Sequence, residues 1–199
     1  MSAKSRKRFQ LIIVAFSLMI IFGFVKNFRG VLIPAIKNDF GVSYSKIGLM
    51  IFISSIGFML STFLGGIAGD KYGIKVVLSF GFTSIILSIL GFNFINSFIM
   101  LLVLMFFLSI GFGTIEIGGN SLGAYLFTEN SAVMMNLLHL FFGIGASIGP
   151  KFSGWLLSQN TNWESIYLYS LILVGIIFLF LLFTSFPEKT EDDDSKNIP

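Results

Sequence analysis

Six long apolar runs dominate the chain, and they determine the solvent in which it folds. The runs cover residues 10–34, 47–69, 74–95, 98–126, 131–158 and 165–186. An α-helix rises about 1.5 Å per residue, so about 20 apolar residues cross the hydrocarbon core of a bilayer. Hydrophobic residues make up 55% of the 199 and charged residues only 12%, which is too little polar surface to cover a soluble domain. We therefore predict an all-α membrane protein with six transmembrane helices.

The rest of the composition removes several function classes. The chain has no cysteine and one histidine, so disulfides, thiolate zinc sites and cysteine nucleophiles are excluded, and no metal site is expected. Beyond residues 4–8 the basic residues are scattered between the apolar runs, so we expect no nucleic-acid partner. The sequence shows no phosphate-binding loop and no hydrolytic or redox motif. We expect neither a cofactor nor an enzyme.

Basic residues in the connections indicate the orientation. With the N-terminus inside, the inner side holds Lys4, Arg6, Lys7, Arg8, Lys71, Lys75, Lys189 and Lys196, and the outer side holds only Lys37 and Lys46. Cytoplasmic loops are enriched in lysine and arginine, so we predict a multi-pass protein of the plasma membrane with both termini cytoplasmic. The predicted divisions are a basic N-terminus at 1–9, a six-helix bundle at 10–186 and an acidic, disordered tail at 187–199.

The stretch GGIAGDKYGIK, residues 65–75, concentrates charge in the connection between the second and third predicted helices. From spacing alone we expect Asp70 to cap the third helix, and Lys71 and Lys75 to contact lipid headgroups or helix-end carbonyls. The stretch also resembles the G-x-x-x-D-[RK]-x-G-x-[RK] signature of the major facilitator superfamily, through Gly66, Asp70, Lys71, Gly73 and Lys75. Ile74 departs from that family, which usually has a basic or polar residue there.

This resemblance implies one half of the superfamily fold, with six helices arranged as a 3+3 inverted repeat. In that family the turn is a conformational latch, which implies a gating role for the five motif residues rather than solute binding. The latch partner lies in a second six-helix half, and the solute site lies between the halves. Three arrangements follow: the chain is a fragment, joins a separately encoded half, or forms a parallel homodimer.

Polar residues inside the runs are candidates for solute and proton binding, because an ionisable group at the bilayer centre costs at least about 2.5 kcal/mol. Glu116 and Asn120 share one face of the fourth helix, and Asn136 and His139 share one face of the fifth. We expect the two pairs to meet across the hairpin, with Glu116 exchanging protons near neutral pH. The alternative is structural: Glu116 pairs with a basic residue or with His139, and the other groups make interhelical hydrogen bonds.

The first run carries its polar residues toward its outer end. We expect Lys26 to extend to the lipid headgroups and Pro34 to mark the end of the helix. Asn27 and Arg29 either extend to the headgroups as well or face a central cavity. The glycine-rich fourth and fifth runs are expected to pack closely against neighbouring helices.

Three segments resemble the fucose and glucose permease group of sugar symporters within the superfamily: NFRGVLIP at 27–34, GTIEIGGN at 113–120 and NLLHLFFGIGASIGP at 136–150. The resemblance implies a sugar as the solute and a proton as the coupling ion. It makes Glu116 the proton or sugar site, and Asn120, Asn136 and His139 become the sugar contacts. Asn27 and Arg29 in the first helix are further candidate solute contacts. Gly30 stands where fucose permease has an aspartate, so coupling through that position is unavailable.

Two other functions compete with sugar symport. Gly145, Gly149, Pro150 and Gly154 partly match the G-x-x-x-G-P-x-x-G-G signature of drug and proton antiporters, with Ser153 in place of the first terminal glycine. The other alternative is an accessory or truncated membrane protein without transport activity of its own.

Overall fold

The computed structural model describes residues 3–186, with side chains from residue 5 onward. The helices are α1 (Ala3–Lys26), α2 (Phe28–Asp39), α3 (Tyr44–Tyr72), α4 (Ile74–Gly91), α5 (Phe98–Leu126), α6 (Ser131–Ser158) and α7 (Trp163–Phe183), with a 3-10 turn at Phe92–Phe94. No strand occurs in residues 3–186, so the predicted all-α class is confirmed. The predicted tail at 187–199 lies outside the described residues.

The helices supply six spans that are long and apolar enough to cross a membrane. α1 and α2 together form the first span, Ser5–Asp39, and each later helix belongs to one further span. Successive spans reverse direction, so the starts of α1 and α4 share one end of the bundle with the ends of α3 and α7. We call this the N-terminal end and the other the opposite end. Large side chains such as Phe63 and Phe183 stay exposed, as a lipid-facing surface requires.

The first span is broken at Asn27, which corrects the prediction of one continuous helix that ends at Pro34. Asn27 separates α1 from α2, and its side-chain Nδ2 donates to the Gly23 carbonyl oxygen over 2.7 Å. A side chain that takes a helix carbonyl competes with the backbone donor that normally bonds there. Pro34 lies inside α2 and does not end it. Membrane helices tolerate an internal proline because neighbouring groups satisfy the freed backbone.

Glycines allow α1 and α6 to pack backbone against backbone. A Cβ added at Gly145 would collide with the Ile20 carbonyl oxygen, and one added at Gly23 would collide with the Phe142 carbonyl oxygen. Gly149 faces the Phe24 carbonyl oxygen in the same way. Small residues permit this close approach, which increases the van der Waals contact that holds helices together in lipid. We call this contact the α1–α6 seam, and it confirms the close packing predicted for the fifth apolar run.

Side chains also connect the helix ends. Arg8 Nη2 donates to the Leu126 carbonyl oxygen over 3.1 Å at the N-terminal end, which joins α1 to the end of α5. Trp163 Nε1 donates to Asp39 Oδ2 over 3.0 Å at the opposite end, which joins the end of α2 to the start of α7. The two contacts hold the first span, α5 and α7 around the bundle interior.

Candidate functional site

A cavity of about 200 Å³ opens among the first span, α3, α5 and α7. Its lining residues lie between the middle of these spans and the opposite end, and we call it the central pocket. Its lining combines two cations, three serine hydroxyls, a tyrosine and an apolar wall: Lys26, Arg29, Ser54, Ser55, Phe58, Met105, Leu108, Ser109, Phe112 and Tyr167. Polar and charged groups at membrane depth are placed where solute or ion pathways run.

Lys26 is the last residue of α1, and its ammonium group lies over two aromatic rings. Lys26 Nζ is 3.9 Å from the centroid of the Phe58 ring and 4.6 Å from that of Phe22. A ring face attracts a cation most strongly where water is excluded. The prediction that Lys26 extends to the headgroups is therefore wrong, because the rings hold the ammonium at the pocket.

Arg29 follows the break at Asn27 and lines the pocket, which is one of the two positions that the sequence left open for it. The residue is half-buried. Within residues 5–186 its guanidinium group forms no hydrogen bond or ion pair, although it acts electrostatically on Lys26 and Tyr167. A guanidinium carries five donors in a planar fork and stays charged in proteins. The pocket therefore contains a permanent positive charge without a protein counter-ion in that part of the chain.

The three pocket serines differ in how their hydroxyls are used. Ser55 Oγ donates to the Ile51 carbonyl oxygen of its own helix over 2.9 Å. Ser54, one residue earlier, is only 1% exposed, and its Oγ has no hydrogen-bond partner in the described residues. Ser109 is also buried. A buried polar atom that lacks a partner in the protein indicates that a water or a ligand completes it.

Glu116 and Asn120 continue the face of α5 that lines the pocket. Phe112, Glu116 and Asn120 lie at intervals of four residues, so their side chains stack along one side of the helix. Glu116 Oε2 and Asn120 Oδ1 are buried without hydrogen-bond partners in the described residues. Glu116 acts electrostatically on Lys26 but forms no ion pair with it. The carboxylate is thus a second polar position beside the pocket rather than part of its wall.

The remaining predicted contacts lie away from this pocket. The Asn27 side chain bonds the Gly23 carbonyl oxygen. Asn136 and His139 are exposed on α6, and no hydrogen bond in the described residues joins them to Glu116 or Asn120. The expected meeting of the two polar pairs across the hairpin is therefore wrong for this structure, because α6 packs on α5 through Met135 and Leu138 instead. The proposed roles of these residues as solute contacts stay predictions.

The charged motif lies where α3 meets α4. Gly66, Asp70 and Lys71 belong to the last turns of α3, and Gly73 alone separates the two helices at φ +88°, a backbone conformation that favours glycine. The prediction that Asp70 caps the next helix is wrong, since Gly73 occupies the cap and no side chain bonds there. Asp70 and Lys71 are exposed. Lys75 Nζ donates to the carbonyl oxygens of Leu182 (2.7 Å) and Thr184 (3.0 Å), which confirms the predicted contact with helix-end carbonyls.

Sequence reasoning did not identify the pocket serines, Phe58 or Tyr167 as site residues. A signal was available for α3, whose buried face repeats small residues at Ser54, Gly57 and Ser61. Ser109 lies on the same side of α5 as Phe112 and Glu116. Small and polar residues at helical spacing in an apolar run mark the side that faces the interior of a bundle. Tyr167 carries no comparable signal in the sequence.

Six helices that are long and apolar enough to cross a membrane define a polytopic α-helical membrane protein. The sequence matches the family described as Major Facilitator Superfamily over residues 14–199. The chain belongs to this family, whose members are transporters and not enzymes. The predicted fold, one half of the superfamily fold, is confirmed.

The chain is similar in sequence to three curated proteins. The chain is 28% identical over 169 residues to the Protein TsgA homolog of Buchnera aphidicola subsp. Schizaphis graminum, with 84% of this chain and 44% of that protein covered. It is 28% identical to the cis,cis-muconate transport protein of Acinetobacter baylyi (83% and 40% covered) and 26% identical to the gallate transporter of Pseudomonas putida (90% and 40% covered). The chain therefore spans about two fifths of the length of these relatives.

Proposed function

We propose that this chain forms one half of a carrier that moves a small polar solute across the plasma membrane by alternating access. The observation that carries the proposal is the central pocket, which brings Lys26, Arg29 and the buried Ser54 hydroxyl together inside the apolar spans. Charged groups at this depth are costly unless a solute or an ion uses them. Two relatives are named for transport of cis,cis-muconate and gallate, which are small, oxygen-rich molecules.

Transport requires a second six-helix unit in this proposal. Superfamily carriers have two such halves, related by an axis along the membrane normal, and the solute binds between them. The motif residues support the requirement because they divide into two groups: Lys75 bonds carbonyls within this half, while Asp70 and Lys71 stay exposed at the N-terminal end. We propose that Asp70 and Lys71 latch against the second unit, and that Gly66, Gly73 and Lys75 shape the turn that presents them.

We further propose that Glu116 couples transport to protons and that the solute carries hydroxyl groups, as a sugar does. Glu116 Oε2 and Asn120 Oδ1 are buried acceptors without partners in the described residues. Solute hydroxyls are the donors that would satisfy them. Asn27 lies at the break in the first span and Arg29 two residues after it, and we propose both as solute contacts. Asn136 and His139 would become solute contacts once a second unit covers α6. We also propose that both termini lie in the cytoplasm, because basic residues are concentrated at the N-terminal end of the bundle.

Uptake into vesicles tests the requirement for a second unit. We would reconstitute the chain alone, a tandem of two copies joined by a flexible linker, and a fusion to the C-terminal half of the gallate transporter. Uptake of labelled glucose, gallate and cis,cis-muconate is then measured with and without an inward proton gradient. We expect uptake only by the proteins that have two halves, and we expect this uptake to be faster with the proton gradient than without it. Robust uptake by the monomeric chain would contradict the requirement, and extrusion of dye instead of uptake would favour the antiporter.

A further inference from the structure

The central pocket is positively charged. Two cations line it, and no aspartate or glutamate is among its lining residues. Lys26 is partly compensated by the Phe22 and Phe58 rings and by the field of Glu116. Arg29 has neither rings nor an ion pair in the described residues. A half-buried guanidinium in a membrane span is most stable when an anion occupies its donors.

Ser54 adds a hydrogen-bond donor that its helix leaves unused. Along α3, three other hydroxyls donate to carbonyl oxygens one turn back: Ser55 to Ile51, Ser61 to Phe58 and Thr62 to Met59. Ser54 makes no such bond, although it is almost fully buried and lines the pocket. A buried hydroxyl requires a partner, and an acceptor inside the pocket would supply one.

Apolar side chains complete the lining of the pocket. Phe58, Met105, Leu108 and Phe112 line it, and Phe112 packs against Phe22 with ring centroids 6.0 Å apart. The volume of about 200 Å³ exceeds what a single halide or a single water fills. The lining therefore suits a molecule whose carbon skeleton covers these side chains and whose charged group binds the cations.

We propose that the central pocket binds a small organic acid. Its carboxylate lies between Arg29 and Lys26 and accepts from the Ser54 hydroxyl, while its carbon skeleton lies against Phe58 and Phe112. Arginine suits this role because its planar fork matches the two oxygens of a carboxylate. The aromatic rings under Lys26 keep the ammonium at the pocket instead of in an ion pair with Glu116. This inference rests on the proposed function and specifies the charge of its solute.

Ligand binding to the purified chain tests the inference without any transport measurement. Benzoate, succinate and gluconate would each be compared with the corresponding amide by equilibrium binding in detergent. We expect at least one acid to bind and its uncharged amide to bind about ten- to a hundredfold more weakly, the loss typical of a missing charged hydrogen bond. Failure of all three acids to bind, or equal affinity for acid and amide, would overturn the proposal.

Variants assign the binding to the named residues. Arg29→Gln is expected to weaken acid binding about tenfold or more, Arg29→Lys less, and Ser54→Ala several-fold. Lys151→Gln is the matched control, because Lys151 is an exposed cation on α6 outside the pocket. Circular dichroism and gel filtration confirm that each variant is folded, and retained acid affinity in a folded Arg29→Gln variant would overturn the assignment.

The two proposals fail differently. A two-half protein that takes up glucose, with an affinity that does not change in Arg29→Gln, would overturn the organic-acid site and leave the carrier intact. Conversely, the chain could bind an acid and lose that binding in Arg29→Gln, while its two-half forms transport none of the solutes. That result would support the organic-acid site and contradict the carrier.

Discussion

At the residue scale, the three ionisable side chains near the pocket lie in three different environments. Lys26 lies over two rings, Arg29 lines the cavity, and Glu116 keeps one oxygen buried without a partner among the described residues. A purely structural pair would bring the carboxylate into contact with a cation, because separated charges in a membrane are more costly than paired ones. Their separation favours a working site over a structural ion pair.

The first prediction concerns Glu116 as the proton-coupling residue. Glu116→Gln keeps the shape of the side chain and one acceptor oxygen but replaces the titratable carboxyl group with an amide. We expect the variant, in a two-half protein, to lose acceleration by a proton gradient while membrane insertion is unchanged. Glu129→Gln is the matched control, since Glu129 is exposed in the connection between α5 and α6. An unchanged response to the gradient would return Glu116 to the structural interpretation.

At the element scale, the sequence predicted the spans well and their irregularities poorly. Membrane burial needs only length and apolarity, which are properties of the chain itself, so the runs at 98–126 and 131–158 coincide with α5 and α6. The break at Asn27 depends on which donor takes the Gly23 carbonyl, and the one-residue turn at Gly73 depends on its positive φ. The first is the outcome of local competition between a side chain and the backbone, and the second of the backbone freedom of one glycine, and composition encodes neither position.

The α1–α6 seam gives a prediction about packing. Gly145→Ala introduces a Cβ that collides with the Ile20 carbonyl oxygen, a backbone atom that moves only with its helix. Overpacking of this kind typically costs about 1–3 kcal/mol, so we expect a lower Tm in detergent. Gly143→Ala is the control two residues away, where a Cβ meets nothing within 4 Å. That variant should be neutral or slightly more stable, because alanine favours a helix over glycine. Equal Tm values for both would contradict the seam.

At the scale of the whole molecule, the candidate site was only partly predictable. Arg29 and Glu116 were found because charge inside an apolar run is conspicuous in a sequence. Ser54 and Tyr167 were not, because a serine or tyrosine in a membrane helix is common, and only the assembly of the first span, α3, α5 and α7 brings them to one cavity. The pocket is a property of the tertiary structure.

Orientation in the membrane is the last prediction, and α3 offers a way to measure it. This helix has 29 residues and is about 43 Å long, which exceeds the hydrocarbon thickness of about 30 Å, so both of its ends reach the interface. Ser45 near its start and Tyr72 at its end are exposed, and the chain has no cysteine of its own.

We expect a membrane-impermeant maleimide to label Ser45→Cys on intact cells, and to label Tyr72→Cys only after permeabilisation, because the basic residues concentrate at the N-terminal end. Neither substitution removes a basic residue, so the charges that determine orientation are unchanged. The reverse labelling pattern would place the termini outside, and the exposed pair Asp70 and Lys71 would then lie on the outer face of the membrane.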